Sequence, residues 1–316
     1  MSDQKNTPDP LQMHIHDNAH QAAPLEGVML GLGATCMWGL FPLVFKTVAH
    51  IPALEVLAHR SAWSLVFVVL LMVLVGRRRE LASKTFYAPS ILKTMAISGI
   101  AVAINWGVFI WAVANDLVLQ SSLGYYISPL MSVVLGVVFL HEKLNPMAWM
   151  AVLMAAMGVL VLIVSLGLVP WVSIALAVSW AIYGLVRKTA PVGSLPGLYL
   201  ETLLLLPLAL AYIAWLGIVD GNAVFGSTWQ DTTLLAGTGL VTALPLLLFA
   251  RAARILRLST VGVLMYIVPT GQFLLAVFVF QEPFTFVHLI SFVLIWLSLA
   301  LYGWGSSRKP KSPSTS

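Results

Sequence analysis

The stretch from Tyr126 to Glu142, YISPLMSVVLGVVFLHE, returns between Tyr266 and Glu282 as YIVPTGQFLLAVFVFQE. Without a gap the two share Tyr126/Tyr266, Ile127/Ile267, Pro129/Pro269, Leu135/Leu275, Val137/Val277 and Glu142/Glu282, six of 17 positions. Leucine and valine pairs recur easily in apolar sequence, whereas paired tyrosine, proline and glutamate do not. A second match, WGLFPLVFK from Trp38 to Lys46 against WAIYGLVRK from Trp180 to Lys188, keeps four of nine positions at nearly the same offset along the chain. The chain therefore reads as two copies of one unit.

What that unit is follows from the apolar runs around the match. A helix crossing about 30 Å of hydrocarbon needs about 20 predominantly apolar residues. Runs near that length lie at 27–47, 54–75, 94–114, 121–140, 147–166, 170–187, 197–217, 233–250, 258–280 and 286–304. Composition agrees, with 59% hydrophobic and 9% charged residues against about 25% charged in soluble domains. Buried backbone in lipid must be satisfied internally, and these runs are too long and too uniformly apolar for barrel strands. The fold class predicted is an all-α integral membrane protein of ten transmembrane helices. The expected organisation is a disordered cytoplasmic tail over 1–26, one five-helix repeat over 27–166, a second over 167–304 and a short cytoplasmic tail over 305–316. The N-terminal segment carries Asp3, Asp9 and Asp17 without an apolar centre, unlike a signal or transit peptide. Cys36 is the one cysteine, which excludes an internal disulfide.

The net charge of +5 is a topology signal and not a nucleic-acid footprint. With a cytoplasmic N-terminus and ten spans, 15 of the 17 Lys and Arg residues fall in cytoplasmic segments, leaving Lys46 and Arg60. That bias is the positive-inside rule, and it predicts both termini in the cytoplasm of a multi-pass inner-membrane protein. Five spans per repeat is an odd number, so the second copy enters the bilayer upside down. Inverted five-plus-five repeats suit secondary transporters, which bind substrate near the midplane and alternate access between the halves.

Ionisable side chains inside spans cost about 2.5–3.5 kcal/mol on insertion scales, so each needs a partner or a purpose. Glu55, His59 and Arg60 lie early in the second span and Glu201 early in the seventh, which puts two carboxylates toward opposite mouths. Glu55 and His59 are spaced to touch. Arg60 points elsewhere, toward Asn105 or a substrate anion, as either a structural cross-link or a cavity charge. Glu55, His59 and Glu201 are candidates for proton coupling, since burial favours the protonated form of a carboxyl group. Pro129 and Pro269 fall mid-span beside Tyr125, Tyr126 and Tyr266, marking the fourth and ninth spans as cavity walls. Trp38, Trp106, Trp111, Trp180 and Tyr183 are candidates for the same lining, against ordinary packing or an interfacial belt.

Other chemistry is excluded or weak. His141-Glu142-Lys143-Leu144-Asn145 lacks the second histidine of a zinc protease motif. His14, His16, Asp17 and His20 form a solvated tail more readily than a metal site. All six aspartates lie outside the spans, and no phosphate-binding loop is present. No cofactor or metal is expected. The partners expected are a small-molecule substrate and the lipid bilayer, with a homodimer left open and nucleic acid excluded. The competing function is an integral membrane enzyme using Glu55, His59 and Arg60 on a lipid-linked substrate.

Several blocks together resemble a known family. They are Met37-Trp38-Gly39-Leu40, Leu54-Glu55-Val56-Leu57-Ala58-His59-Arg60, Asn105-Trp106, Ser122-Leu123-Gly124-Tyr125-Tyr126-Ile127, Tyr183-Gly184-Leu185-Val186-Arg187-Lys188 and Arg257-Leu258-Ser259-Thr260-Val261-Gly262 with Tyr266-Ile267-Val268-Pro269-Thr270. They are similar to the RarD branch of the EamA transporters, in the drug/metabolite transporter superfamily, over about residues 27 to 304. The resemblance implies ten helices in inverted halves and a bacterial inner-membrane location. It also implies a cavity built from spans one to four and six to nine, with five and ten peripheral. Members of the family export amino acids, drugs or other small metabolites, so a permease working as an exporter is the function implied.

Overall fold

The computed structural model describes residues 10–78, 84–141, 146–167, 169–255 and 264–307. Arg257 to Gly262 of the family block, Glu142 of the repeat and most of the zinc-like motif lie outside them. The described chain is helical, and its sole β pairing there is an isolated bridge between Phe225 and Thr228. In order the helices are α1 (Pro10–Gly39), α2 (Phe41–Thr47), α3 (Ala53–Leu74), α4 (Pro89–Ala114), α5 (Val118–Leu140) and α6 (Pro146–Leu166). There follow α7 (Trp171–Thr189), α8 (Ser194–Trp215), α9 (Trp229–Ile255), α10 (Ile267–Leu274) and α11 (Phe286–Ser307). Single π-helical turns extend α8 over Leu216–Asp220 and α10 over Leu275–Val279.

Six helical stretches among the described residues are long and apolar enough to cross a bilayer, from Leu25–Thr47 through Leu195–Asp220. Three more apolar helices, Trp171–Arg187, Ile267–Val279 and Phe286–Tyr302, are shorter. The helix holding the first span begins at Pro10 and not near residue 27, so part of the segment expected as disordered tail is helical. A proline opening that helix and the alanine, glutamine and leucine after it favour helix locally, which hydropathy alone does not register. The first span also breaks at Leu40, where Pro42 opens α2. Proline has no N–H to donate back along the helix, so a new helix starts there more easily than the old one continues.

Packing pairs the helices in a pattern. The main contacts are α5 with α7, α1 with α10, α3 with α9, α4 with α8, α1 with α9 and α4 with α7. To these are added α3 with α8, α5 with α10 and α6 with α11. Exchanging α1, α3, α4, α5, α6 for α7, α8, α9, α10, α11 maps this set of contacts onto itself. Close approach relies on small residues, as is usual between helices in lipid. A Cβ on Gly239 of α9 would sit 2.6 Å from the Trp63 backbone of α3, and one on Gly124 of α5 2.8 Å from the Ser173 carbonyl of α7.

The connections gather at two ends. At one, Lys46 ion-pairs with Asp116, His50 Nε2 lies 2.8 Å from Asp231, and Glu282 accepts the Val118 and Leu119 N–H groups, each at 2.7 Å. Glu282 thereby satisfies two of the amides that a helix N-terminus leaves open. At the other end Arg251 pairs with Glu26, and the Tyr87 and Tyr199 hydroxyls meet at 3.0 Å. Lys46, unexplained by the charge count, is held by Asp116 and also lies over the Phe280 ring.

Candidate functional site

Arg60 is the group around which the site is built. It lies two turns into α3 and is 2% exposed. Its Cζ is 4.2 Å from the centroid of the Trp106 ring, 5.0 Å from Phe45 and 5.8 Å from Phe41. Phe41 and Phe45 fall one turn apart on α2, so the break at Leu40 is what turns both rings toward the cation. Cation–π attraction supplies up to about 2 kcal/mol when desolvated. It leaves the polar hydrogens unmet, since Nε and Nη1 are buried without a hydrogen-bond partner. A buried, unsatisfied donor costs about 1–3 kcal/mol, more when charged.

Beside the cation runs a polar seam between the two sequence halves. Tyr125 donates its hydroxyl to Asn105 Oδ1 at 3.0 Å, while Asn105 Nδ2 donates to the Leu176 carbonyl and to Ser179 Oγ, each at 3.0 Å. Asn105 is fully buried, so its amide ties α4 to α5 and α7 with no donor to spare. The Trp180 ring meets Tyr125 edge-on at 6.2 Å and lies 5.5 Å from Tyr183. The seam continues to Glu201 of α8, which is buried and accepts from Ser98 Oγ at 2.6 Å, with Arg187 Nη1 at 3.5 Å.

Of the residues singled out in the sequence, Arg60, Asn105, Trp106, Trp180 and Tyr183 thus lie along one seam. Trp38 sits apart, its ring 5.3 Å from Phe249. Tyr126 also turns away, its hydroxyl 2.6 Å from Thr270 and its ring edge-on to Phe292 and Trp296. Tyr266 lies at the start of α10, its carbonyl accepting the Thr270 hydroxyl at 2.7 Å. Tyr125 is the tyrosine facing Arg60. Adjacent helical residues point about 100° apart, so one of the pair had to turn away, and nothing in the sequence chose which. Phe41, Phe45, Ser98 and Ser179 were missed because phenylalanine and serine are ordinary in membrane helices. Arg187, which the sequence places among the cytoplasmic charges, in the repeat and in the family block, also stands beside Glu201.

Glu55 and His59 are not hydrogen-bonded to each other, since Glu55 Oε1 is taken by backbone amides and Oε2 has no hydrogen-bond partner. Glu55 Oε1 accepts the N–H groups of Val224 and Phe225 at 2.8 and 3.0 Å, and the His59 ring stacks on Phe225 at 4.4 Å. Together they clasp the loop before α9 onto α3. That loop is further set by Thr228, whose hydroxyl accepts the Asp231 N–H at 3.0 Å and lies 2.8 Å from Asp231 Oδ2, a capping arrangement at the start of α9. At the opposite end Phe86, before α4, lies parallel to Tyr199 of α8 at 6.1 Å. His59 is separated from Tyr199, and Phe86 from Phe225, by the period of the repeat. In that register, with offsets of 140 and 139, Glu201 falls opposite Ser61 and Ala62 and not Glu55.

A family model described as the EamA-like transporter family matches residues 25–164. An "Uncharacterized transporter" of Vibrio cholerae is 43% identical over 277 residues, 88% of this chain and 91% of that protein. "Protein RarD" of Escherichia coli is 40% identical over 277 residues, 88% of this chain and 93% of that protein. "Chloramphenicol-sensitive protein RarD" of Pseudomonas aeruginosa is 34% identical over 286 residues, 90% and 95% of the two chains. A crystal structure of a protein 18% identical superposes with a TM-score of 0.56 over 90% of this chain and 99% of that one, a likeness of fold alone. Identity of this order across almost the whole of both chains fixes the kinship, so the chain belongs to the EamA-like transporter family of the drug/metabolite transporter superfamily, in its RarD branch, and is a multi-pass membrane transporter and not an enzyme.

Proposed function

We propose that the protein is a secondary transporter that exports small organic metabolites or drugs across the bacterial inner membrane by alternating access. Its ten spans form two inverted five-helix repeats with both termini in the cytoplasm. The observation that carries this reading is Arg60, a cation buried between aromatic rings with hydrogen-bond donors left over. An intramembrane ionisable group without a protein partner marks a substrate path by default. Support for the inverted repeat comes from the contact set that is unchanged on exchanging halves. Support for alternation comes from the two clasps, each made by a connection of one half against the second span of the other, at opposite ends. Opening one clasp while the other stays shut is the motion that alternating access requires.

The test is counterflow and efflux from liposomes holding the purified chain, with and without a proton gradient, using labelled amino acids and chloramphenicol as first probes. Chloramphenicol is included because a relative is named for sensitivity to it. Arg60→Ala should lower flux at least tenfold while folded protein is retained. Equal loss of folded protein and flux would make Arg60 a structural cross-link. Flux no greater than that of protein-free liposomes for every probe, with a folded wild type, would count against export of these classes.

A further inference from the structure

We propose that the site around Arg60 takes organic anions, specifically carboxylates carried on a flat apolar body; this rests on the transporter reading above and names its substrate class. The argument is one of charge. Each buried carboxylate in the described residues is already committed elsewhere. Glu55 holds the Val224 and Phe225 amides, Glu201 faces Ser98 and Arg187, and Glu282 caps α5. Among the described residues none is ion-paired with Arg60, and its Nε and Nη1 have no acceptor. The aromatic faces offset its charge without accepting those hydrogens. Asn105 cannot serve, because its carbonyl accepts from Tyr125 and its amide is spent on Leu176 and Ser179.

A neutral substrate would leave the guanidinium uncompensated, and an amine would add a like charge. A carboxylate supplies both the missing charge and the missing acceptor, the pairing for which guanidinium geometry is suited. Trp180 and Tyr183, partly exposed along the seam beyond Tyr125, offer ring surface to the rest of such a molecule. Aliphatic polycarboxylates would gain nothing from that surface, which is why the proposal specifies a flat apolar body.

The experiment is thermal unfolding of the full chain in detergent with phenylacetate, 3-phenylpropionate and indole-3-acetate, each compared with its own primary amide. At least one acid should raise the melting temperature at a concentration at least tenfold below that needed by its amide, and Arg60→Gln should abolish the difference. Amides as effective as the acids, stabilisation by the acids undiminished in Arg60→Gln, or no stabilisation by any acid would each overturn the proposal. Should Arg60→Gln fail to fold, the acid-to-amide comparison in the wild type and in Arg60→Lys decides it. Liposome flux is read separately. Flux of neutral probes without acid selectivity would sink the anion class and leave the transporter, whereas acid-selective stabilisation without flux of any acid would leave the site and sink the transport reading.

Discussion

Arg60 and the tyrosine pair show how one residue's direction decides its role. Tyr125 and Tyr126 are chemically identical, yet one hydroxyl serves Asn105 in the seam and the other meets Thr270. Tyr125→Phe should therefore raise the KM for transport several-fold and also lower stability by about 1–3 kcal/mol, because it leaves the buried Asn105 Oδ1 without its donor. Tyr126→Phe should lower stability by about 0.5–1.5 kcal/mol, the net value of a hydrogen bond, with KM unchanged. Flux kinetics beside thermal unfolding separate the two. Asp231 gives a prediction in pH. The Thr228 hydroxyl and then His50 hold its carboxyl below the ordinary aspartate range. A depressed pKa adds stability that is complete above the ordinary value and is lost as pH falls through the folded one. Acid should thus loosen the loop before α9 only below about pH 4. In Asp231→Asn that part of the pH dependence of melting should vanish, and its persistence would assign the effect to another group.

Among the elements, the two clasps carry the alternating access proposed above. The His59–Phe225 stack and the Phe86–Tyr199 stack close opposite ends with similar parts, although one adds a carboxylate holding two amides and the other a pair of hydroxyls. With Cys36→Ser as background, a disulfide between His59→Cys and Phe225→Cys, or between Phe86→Cys and Tyr199→Cys, should stop net flux. Reduction should restore it in both. Full flux through either cross-linked form would mean that end does not open during transport. The sequence offered Glu55 and His59 as a pair because they lie one turn apart. What they bind is a loop in the other half of the chain, and no local pattern encodes that partner.

At the scale of the molecule the halves match in register but not in charge. Arg60 lies early in α3 and Glu201 early in α8, the helices exchanged between the halves, and they carry opposite signs, so under the proposed alternating access the two sides of the cycle would differ. Glu201 keeps Oε2 without a partner while Ser98 and Arg187 face Oε1. A proton taken there would leave Arg187 to be released toward the end at which α7 finishes. If Glu201 couples flux to protons, Glu201→Gln should remove the effect of a pH gradient and leave substrate exchange at constant pH within a few-fold. Wild-type flux indifferent to the gradient would exclude that coupling and leave a facilitator.

The sequence by itself determined the apolar helical character of a multi-pass membrane protein, the internal period and the kinship. Each is a property of run length, repetition or linear order, which survives projection onto one dimension. Mean hydropathy could not register that the first helix starts at Pro10, nor that α2 is a separate helix whose two phenylalanines face the cation. Tertiary structure alone decided which of two adjacent tyrosines meets Arg60, which amides Glu55 holds, and that Arg187 stands beside Glu201. Those outcomes depend on helix rotation and on segments far apart in the chain. A rotation of about 100° per residue turns a one-position difference into a different neighbour.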